Sequence, residues 1–98
     1  VRAQTPWGEE DTQRQFFGVC IGDHSKSAIG TLFATGCLVG VSANVVTTGI
    51  TGRSIPSYAW KDARYDVDKA VDVARTVMAR RDIDLGPETE ALLRYLAG

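Results

Sequence analysis

Basic excess, long apolar runs and a cysteine framework are all missing from this chain of 98 residues. Lys and Arg number 11 against 12 Asp and Glu, a net charge of −1. A nucleic-acid or anionic-membrane surface needs a positive surplus, so neither is an expected partner. No apolar stretch is long enough to span a bilayer, and no basic-then-apolar leader opens the sequence. The two cysteines, Cys20 and Cys37, make no disulfide framework, and with a single histidine they cannot close a structural zinc site. Free thiols and the lack of a leader give the expectation of a cytoplasmic protein. The sequence starts in strand-like residues at Val1 rather than Met, which leads to the expectation of a piece cut from something longer. So short a chain buries only about 60–65% of its unfolded surface, and a partner would help its stability.

What is present divides by texture. Residues 1–18 are polar around the turn signal "TPWGEED", and the flanking "VRAQ" and "TQRQFF" read as a hairpin. Residues 19–50 are rich in Gly, Val, Thr and Ala. Residues 51–65 connect, with "TGRSIPS" as a breaker. Residues 66–98 turn helical: Val67, Ala70, Val71, Ala74, Val77 and Met78 form one apolar stripe. Acidic residues at its start and Arg80 with Arg81 at its end suit the helix dipole. "DLGP" stops this helix and begins a second, with Pro87 in the first turn and Ala91, Leu92, Tyr95 and Leu96 expected on the buried side.

The middle segment carries a spacing. Steps of six from Ile21 reach Ser27, Phe33, Val39 and Val45; steps of six from Val19 reach Ser25, Thr31, Cys37 and Ala43. Small or apolar residues hold nearly all of these inward positions, with Ser25 and Ser27 needing backbone partners for their hydroxyls. The intervening "GDH", "AIG", "ATG", "GVS" and "VTT" suit tight or left-handed corners. Hexads of this kind describe a three-sided coil that repeats every eighteen residues, placing Ile21 over Val39 and Val19 over Cys37. An open antiparallel sheet with Gly turns does not explain the spacing.

"FGVCIGDHSKSAIGTLFATGCLVGVSANV", "IPSYAW" and "YDVDKAVDVARTVMARR", in that order, resemble the C-terminal end of bacterial sugar nucleotidyltransferases. These are similar to the bifunctional N-acetylglucosamine-1-phosphate uridyltransferase/glucosamine-1-phosphate acetyltransferase family. The likeness spans residues 17–97. It implies a mainly β fold with an α tail: a hexapeptide-repeat, left-handed parallel β-helix fragment followed by two C-terminal helices, assembled as a homotrimer. The nucleotidyltransferase domain, with its phosphate-gripping loop and its Mg2+, would lie outside this chain, because "GITGRS" lacks the Gly-Lys-Ser/Thr ending of a phosphate loop.

Local chemistry implied by the resemblance is acyl transfer from acetyl-CoA to a sugar phosphate, with no cofactor held by the chain itself. His24, the only imidazole, would be the catalytic base. Lys26, Ser42 and Asn44, brought beside it by the eighteen-residue register, would bind a sugar phosphate or nucleotide sugar. The alternatives are a turn at "GDH" with Lys26 as a solvated charge, and a non-catalytic trimerisation or regulatory module for the upstream domain. Tyr58, Trp60 and Tyr65 are candidates to stack on a ligand, with the favoured reading that they seal the end of the coil against the first helix.

Overall fold

A computed structural model describes residues 1–14, 18–47, 49–60 and 63–98; Gln15, Phe16 and Phe17 of the "TQRQFF" reading fall outside them. Strands β1 (Arg2–Thr5) and β2 (Gly8–Asp11) form an antiparallel hairpin closed at Pro6–Trp7. Arg2 pairs with Glu9 at 3.3 Å, and Arg53 reaches across to Glu9 at 3.2 Å. Those two guanidiniums, Arg53 first, hold the Glu9 carboxyl below its ordinary range. The hairpin is thereby clipped to the body of the molecule.

From there the chain winds between two stacks. One stack holds β3 (Val19–Ile21), β5 (Cys37–Val39) and β7 (Ser54–Ile55), and the other β4 (Lys26–Ser27), β6 (Asn44–Val45), β8 (Ala59–Trp60) and β9 (Ala63–Arg64). Each return lays a parallel neighbour on the strand before it. Val19 pairs with Cys37 and Ile21 with Val39, a spacing of eighteen; Lys26 pairs with Asn44 at the same spacing. The last return is shorter: Val39 pairs with Ile55 and Asn44 with Trp60, a spacing of sixteen.

The expected left-handed, hexapeptide-repeat β-helix is corrected by this topology. The chain is a mainly β domain with a short C-terminal α hairpin, and its described strands lie in three open sheets. A closed three-sided coil needs a third wall. Among the described residues that side carries one bridge, Leu32 to Ile50. Strands of two or three residues give little ladder to curl, and β9 turns back antiparallel against β8 and ends its sheet.

Between the stacks sits a small core of Cys37, Val39, Ala43 and Val45, flanked by Phe33, Ile55 and Ala59. Ser25 meets its polar obligation there: its hydroxyl donates to the Gly40 carbonyl at 2.7 Å and accepts from the Ala43 N–H at 3.1 Å. Cys37 is fully buried and Cys20 exposed. At the shared corner the layers come very close. A Cβ on Gly22 would stand 2.6 Å from the Gly40 carbonyl oxygen, and one on Gly40 would collide with the Ser57 backbone.

The other end of the stacks is sealed by helices α1 (Val67–Ala79) and α2 (Pro87–Leu96). Asp66 caps α1, its Oδ1 accepting from the Asp68 N–H at 2.9 Å and the Lys69 N–H at 3.4 Å. Ala70, Val71 and Ala74 face inward, as periods of three and four require. Tyr58 is fully buried against Ala70 and Ala97, and its hydroxyl donates to the Leu93 carbonyl at 2.6 Å, tying the last strand layer to α2. On α2 the buried face is Leu93 and Ala97, not the expected Ala91, Leu92, Tyr95 and Leu96; Tyr95 is 80% exposed. Two ion pairs cross to α1 from this helix, Glu90 to Arg75 and Arg94 to Asp68, and the Tyr58 bond to the Leu93 carbonyl holds the 93–97 side inward. No helix among the described residues is long and apolar enough to cross a membrane.

Two outcomes follow from this packing. Gly40→Ala lowers stability by about 2 kcal/mol, a fall in Tm of roughly 10 °C, because backbone rather than a flexible side chain fills the space. Gly52→Ala, where nothing lies within 4 Å, leaves the thermal melt within a few degrees of wild type. The second concerns Glu90. Hydrogen bonds from Arg94, with the charge of Arg75, hold its carboxyl below the ordinary value of 4.5. A depressed folded-state value means that the contribution is full above the unfolded value and lost as pH falls through the folded one. Thermal melts of Glu90→Gln therefore lie below wild type at roughly pH 6 and converge with it toward roughly pH 3, and added salt narrows the gap.

Candidate functional site

Parallel registry puts paired residues on the same side of a sheet. On the outer face of the four-stranded sheet this makes a row: Lys26, Asn44, Trp60 and Ala63, one from each strand in order. The inner row beside it begins with Ser27 and Val45, and Val45 belongs to the core. Lys26 is exposed, Asn44 half-buried and Trp60 44% exposed. With strands about 4.8 Å apart, Lys26 and Trp60 stand roughly 10 Å from one another across the row.

Trp60 also opens a cleft of about 520 Å³ between the β8–β9 hairpin and α1. Tyr65 meets the Trp60 ring edge-on, centroids 4.9 Å apart and planes at 64°, which fixes the indole and leaves it facing outward. Val73 and Ala63 complete an apolar lining, and Arg64, Lys69, Asp66 and Asp72 stand around it. The acidic members have partners: Asp66 caps the helix, and Asp72 lies 3.5 Å from Arg75. Among the described residues Lys26, Arg64 and Lys69 make no ion pair.

The sequence-expected residues divide between two places. Lys26 and Asn44 are cross-strand neighbours on the row. His24 and Ser42 lie on the adjoining corner. There three residues adopt left-handed backbone one above another: His24 at φ 62°, Ser42 at φ 53° and Tyr58 at φ 60°. The Ser42 N–H donates to the Asp23 carbonyl at 2.9 Å and the Tyr58 N–H to the Val41 carbonyl at 2.8 Å, so each corner hangs on the one before. Ser42 is 3% exposed and offers a ligand little surface, whereas His24 is half-buried at the outermost layer. The Lys26 ammonium donates back to the His24 carbonyl at 3.3 Å. Among the described residues no group of three or more His, Cys, Asp and Glu is placed to hold a metal ion.

Sequence reasoning favours a sealing role for Trp60 and Tyr65 over stacking on a ligand, and does not place Trp60 beside Asn44. The shortened return is the reason: eighteen residues beyond Asn44 is Asp62, and only the sixteen-residue return brings Trp60 into the row. A scan against protein-family models, a search of curated proteins and a search of solved structures each find no match. The resemblance to sugar nucleotidyltransferases and the uridyltransferase/acetyltransferase family is corrected accordingly, since no family model matches and the coil it rested on is not formed. Nucleotidyl transfer, acyl transfer and the role of a module serving an upstream nucleotidyltransferase fall with it.

Backbone geometry at His24 makes its own prediction. Asn tolerates left-handed φ and a β-branched residue does not. His24→Asn keeps the wild-type melting temperature within a few degrees, while His24→Val loses about 1–2 kcal/mol in urea unfolding.

Proposed function

We propose that this chain is a ligand-binding module that holds a phosphorylated sugar, free or nucleotide-linked, on the outer face of the four-stranded sheet. The observation that carries the reading is the registry Lys26–Asn44–Trp60. A sugar ring has an apolar face of C–H groups that suits a held, outward-facing indole, as Trp60 provides. Asn44 presents an amide that can donate to one hydroxyl and accept from another. Lys26 on one side, and Arg64 with Lys69 on the other, supply charge for a phosphate, as a small number of convergent polar groups does in a ligand site. The separation of Lys26 from Trp60, two strand spacings or roughly 10 Å, accommodates a sugar between the ring and the cation. The His24 backbone carbonyl accepts from the Lys26 ammonium, so the corner that carries His24 adjoins this face.

Fluorescence tests the reading directly. The sequence has two tryptophans, so Trp7→Phe leaves Trp60 as the only indole reporter. Titration with glucose 1-phosphate shifts its emission with a dissociation constant of about 0.1–1 mM, and glucose or inorganic phosphate alone binds at least tenfold more weakly. Isothermal calorimetry of Trp60→Ala shows binding weakened at least tenfold, about 1.4 kcal/mol. Lys26→Gln weakens binding several-fold and flattens its salt dependence. Unchanged Trp60 emission up to about 10 mM of glucose 1-phosphate and of a nucleotide sugar defeats the proposal.

A further inference from the structure

Trp7 stands at the tip of the β1–β2 hairpin with its surface 91% exposed. Large aromatics are seldom left so bare, and an isolated indole in water forgoes the burial that makes it useful in contacts. The turn itself fixes this placement. The Trp7 N–H donates to Thr5 Oγ1 at 3.2 Å, and the Thr5 hydroxyl donates to the Gly8 carbonyl at 2.7 Å.

Directly beside the tip runs a groove of about 440 Å³. Its floor includes the outer row Cys20, Leu38 and Ser54, and Gln4, Pro6 and Pro56 stand along it. Every described residue lining it is uncharged, so an indole entering it meets no ion among them. Pro6 lines the groove while its neighbour Trp7 points away, so the hairpin presents a projecting ring and a receiving slot side by side.

We propose that this flank is a self-association surface, in which Trp7 of each copy inserts into the groove of a second copy. Projection and slot on one patch are self-complementary, the requirement of a two-fold contact. Area sets its strength. Two indoles and the walls that receive them bury roughly 800 Å² in all, short of the ~1,200 Å² at which stable interfaces begin. The dimer is therefore weak and forms in the high-micromolar range.

Sedimentation equilibrium under reducing conditions, which keep the exposed Cys20 thiol from cross-linking, measures it from about 5 µM to about 1 mM. The average mass rises from monomer toward dimer. In Trp60→Phe, where Trp7 is the sole indole, emission moves to the blue over the same range. Trp7→Ser, and separately Ser54→Arg in the groove floor, raise the dissociation constant at least tenfold. An equimolar mixture of these two variants associates more tightly than either alone, because one intact projection meets one intact groove; a general loss of folding would not give that recovery. A monomer at the highest concentration overturns the proposal. So does association that persists in Trp7→Ser, which places the contact elsewhere. Blue-shifted emission independent of concentration also overturns it, by placing Trp7 in its own groove.

Discussion

Backbone packs on backbone at one corner of this molecule, and the layering elsewhere is hung from it. Gly22 lies against Gly40, and Gly40 against Ser57, at separations that leave no room for a Cβ. Beside those contacts the N–H of each left-handed corner donates to the layer before it, Ser42 to Asp23 and Tyr58 to Val41. Strands of two or three residues provide too few ladder hydrogen bonds to fix their own register. The close corner fixes it for them. Once Gly22, Gly40 and Ser57 are stacked, Ile21 must lie over Val39 and Lys26 must lie beside Asn44.

The same constraint explains how a surface of ordinary residues becomes a site. Lys26, Asn44 and Trp60 are far apart in sequence and come from three separate turns of the chain. They align because the outer face inherits its order from the inner one, where Val39 and Val45 are fixed by burial. Tyr65 then restrains the Trp60 ring from the side, and Tyr58 binds the final layer to α2. The aromatic residues near the end of the stacks thus have unlike duties: Tyr58 is wholly interior, and Trp60 is left facing solvent.

Much of this was legible in the residues and some was not. The hexad spacing located the parallel neighbours Val19–Cys37 and Lys26–Asn44, because a side chain that must be buried repeats with the layer that buries it. Spacing alone could not say whether the winding closes, since closure depends on a third wall and among the described residues that side has one bridge, at Leu32 and Ile50. Family likeness filled the gap with the wrong architecture. The sequence marks Trp60 as a ring that could stack on a ligand, but its place beside Asn44 was not legible, because a shorter last return moved it into the row. On α2, the pattern of Leu92, Tyr95 and Leu96 is as regular as that of Leu93 and Ala97. Periodicity finds a stripe, whereas contacts from outside the helix, Arg75 to Glu90 and Tyr58 to the Leu93 carbonyl, hold one stripe inward.

The returns differ, eighteen residues and then sixteen, yet the strands they deliver keep the same faces. The pairing of each new strand with the one before it, not the length of the corner between them, decides which side chains turn inward. Ile55 remains inside above Val39 and Trp60 outside beside Asn44 although the period has changed between them. Corners of such a chain can lengthen or shrink and bring different residues onto a binding face without disturbing the core behind it.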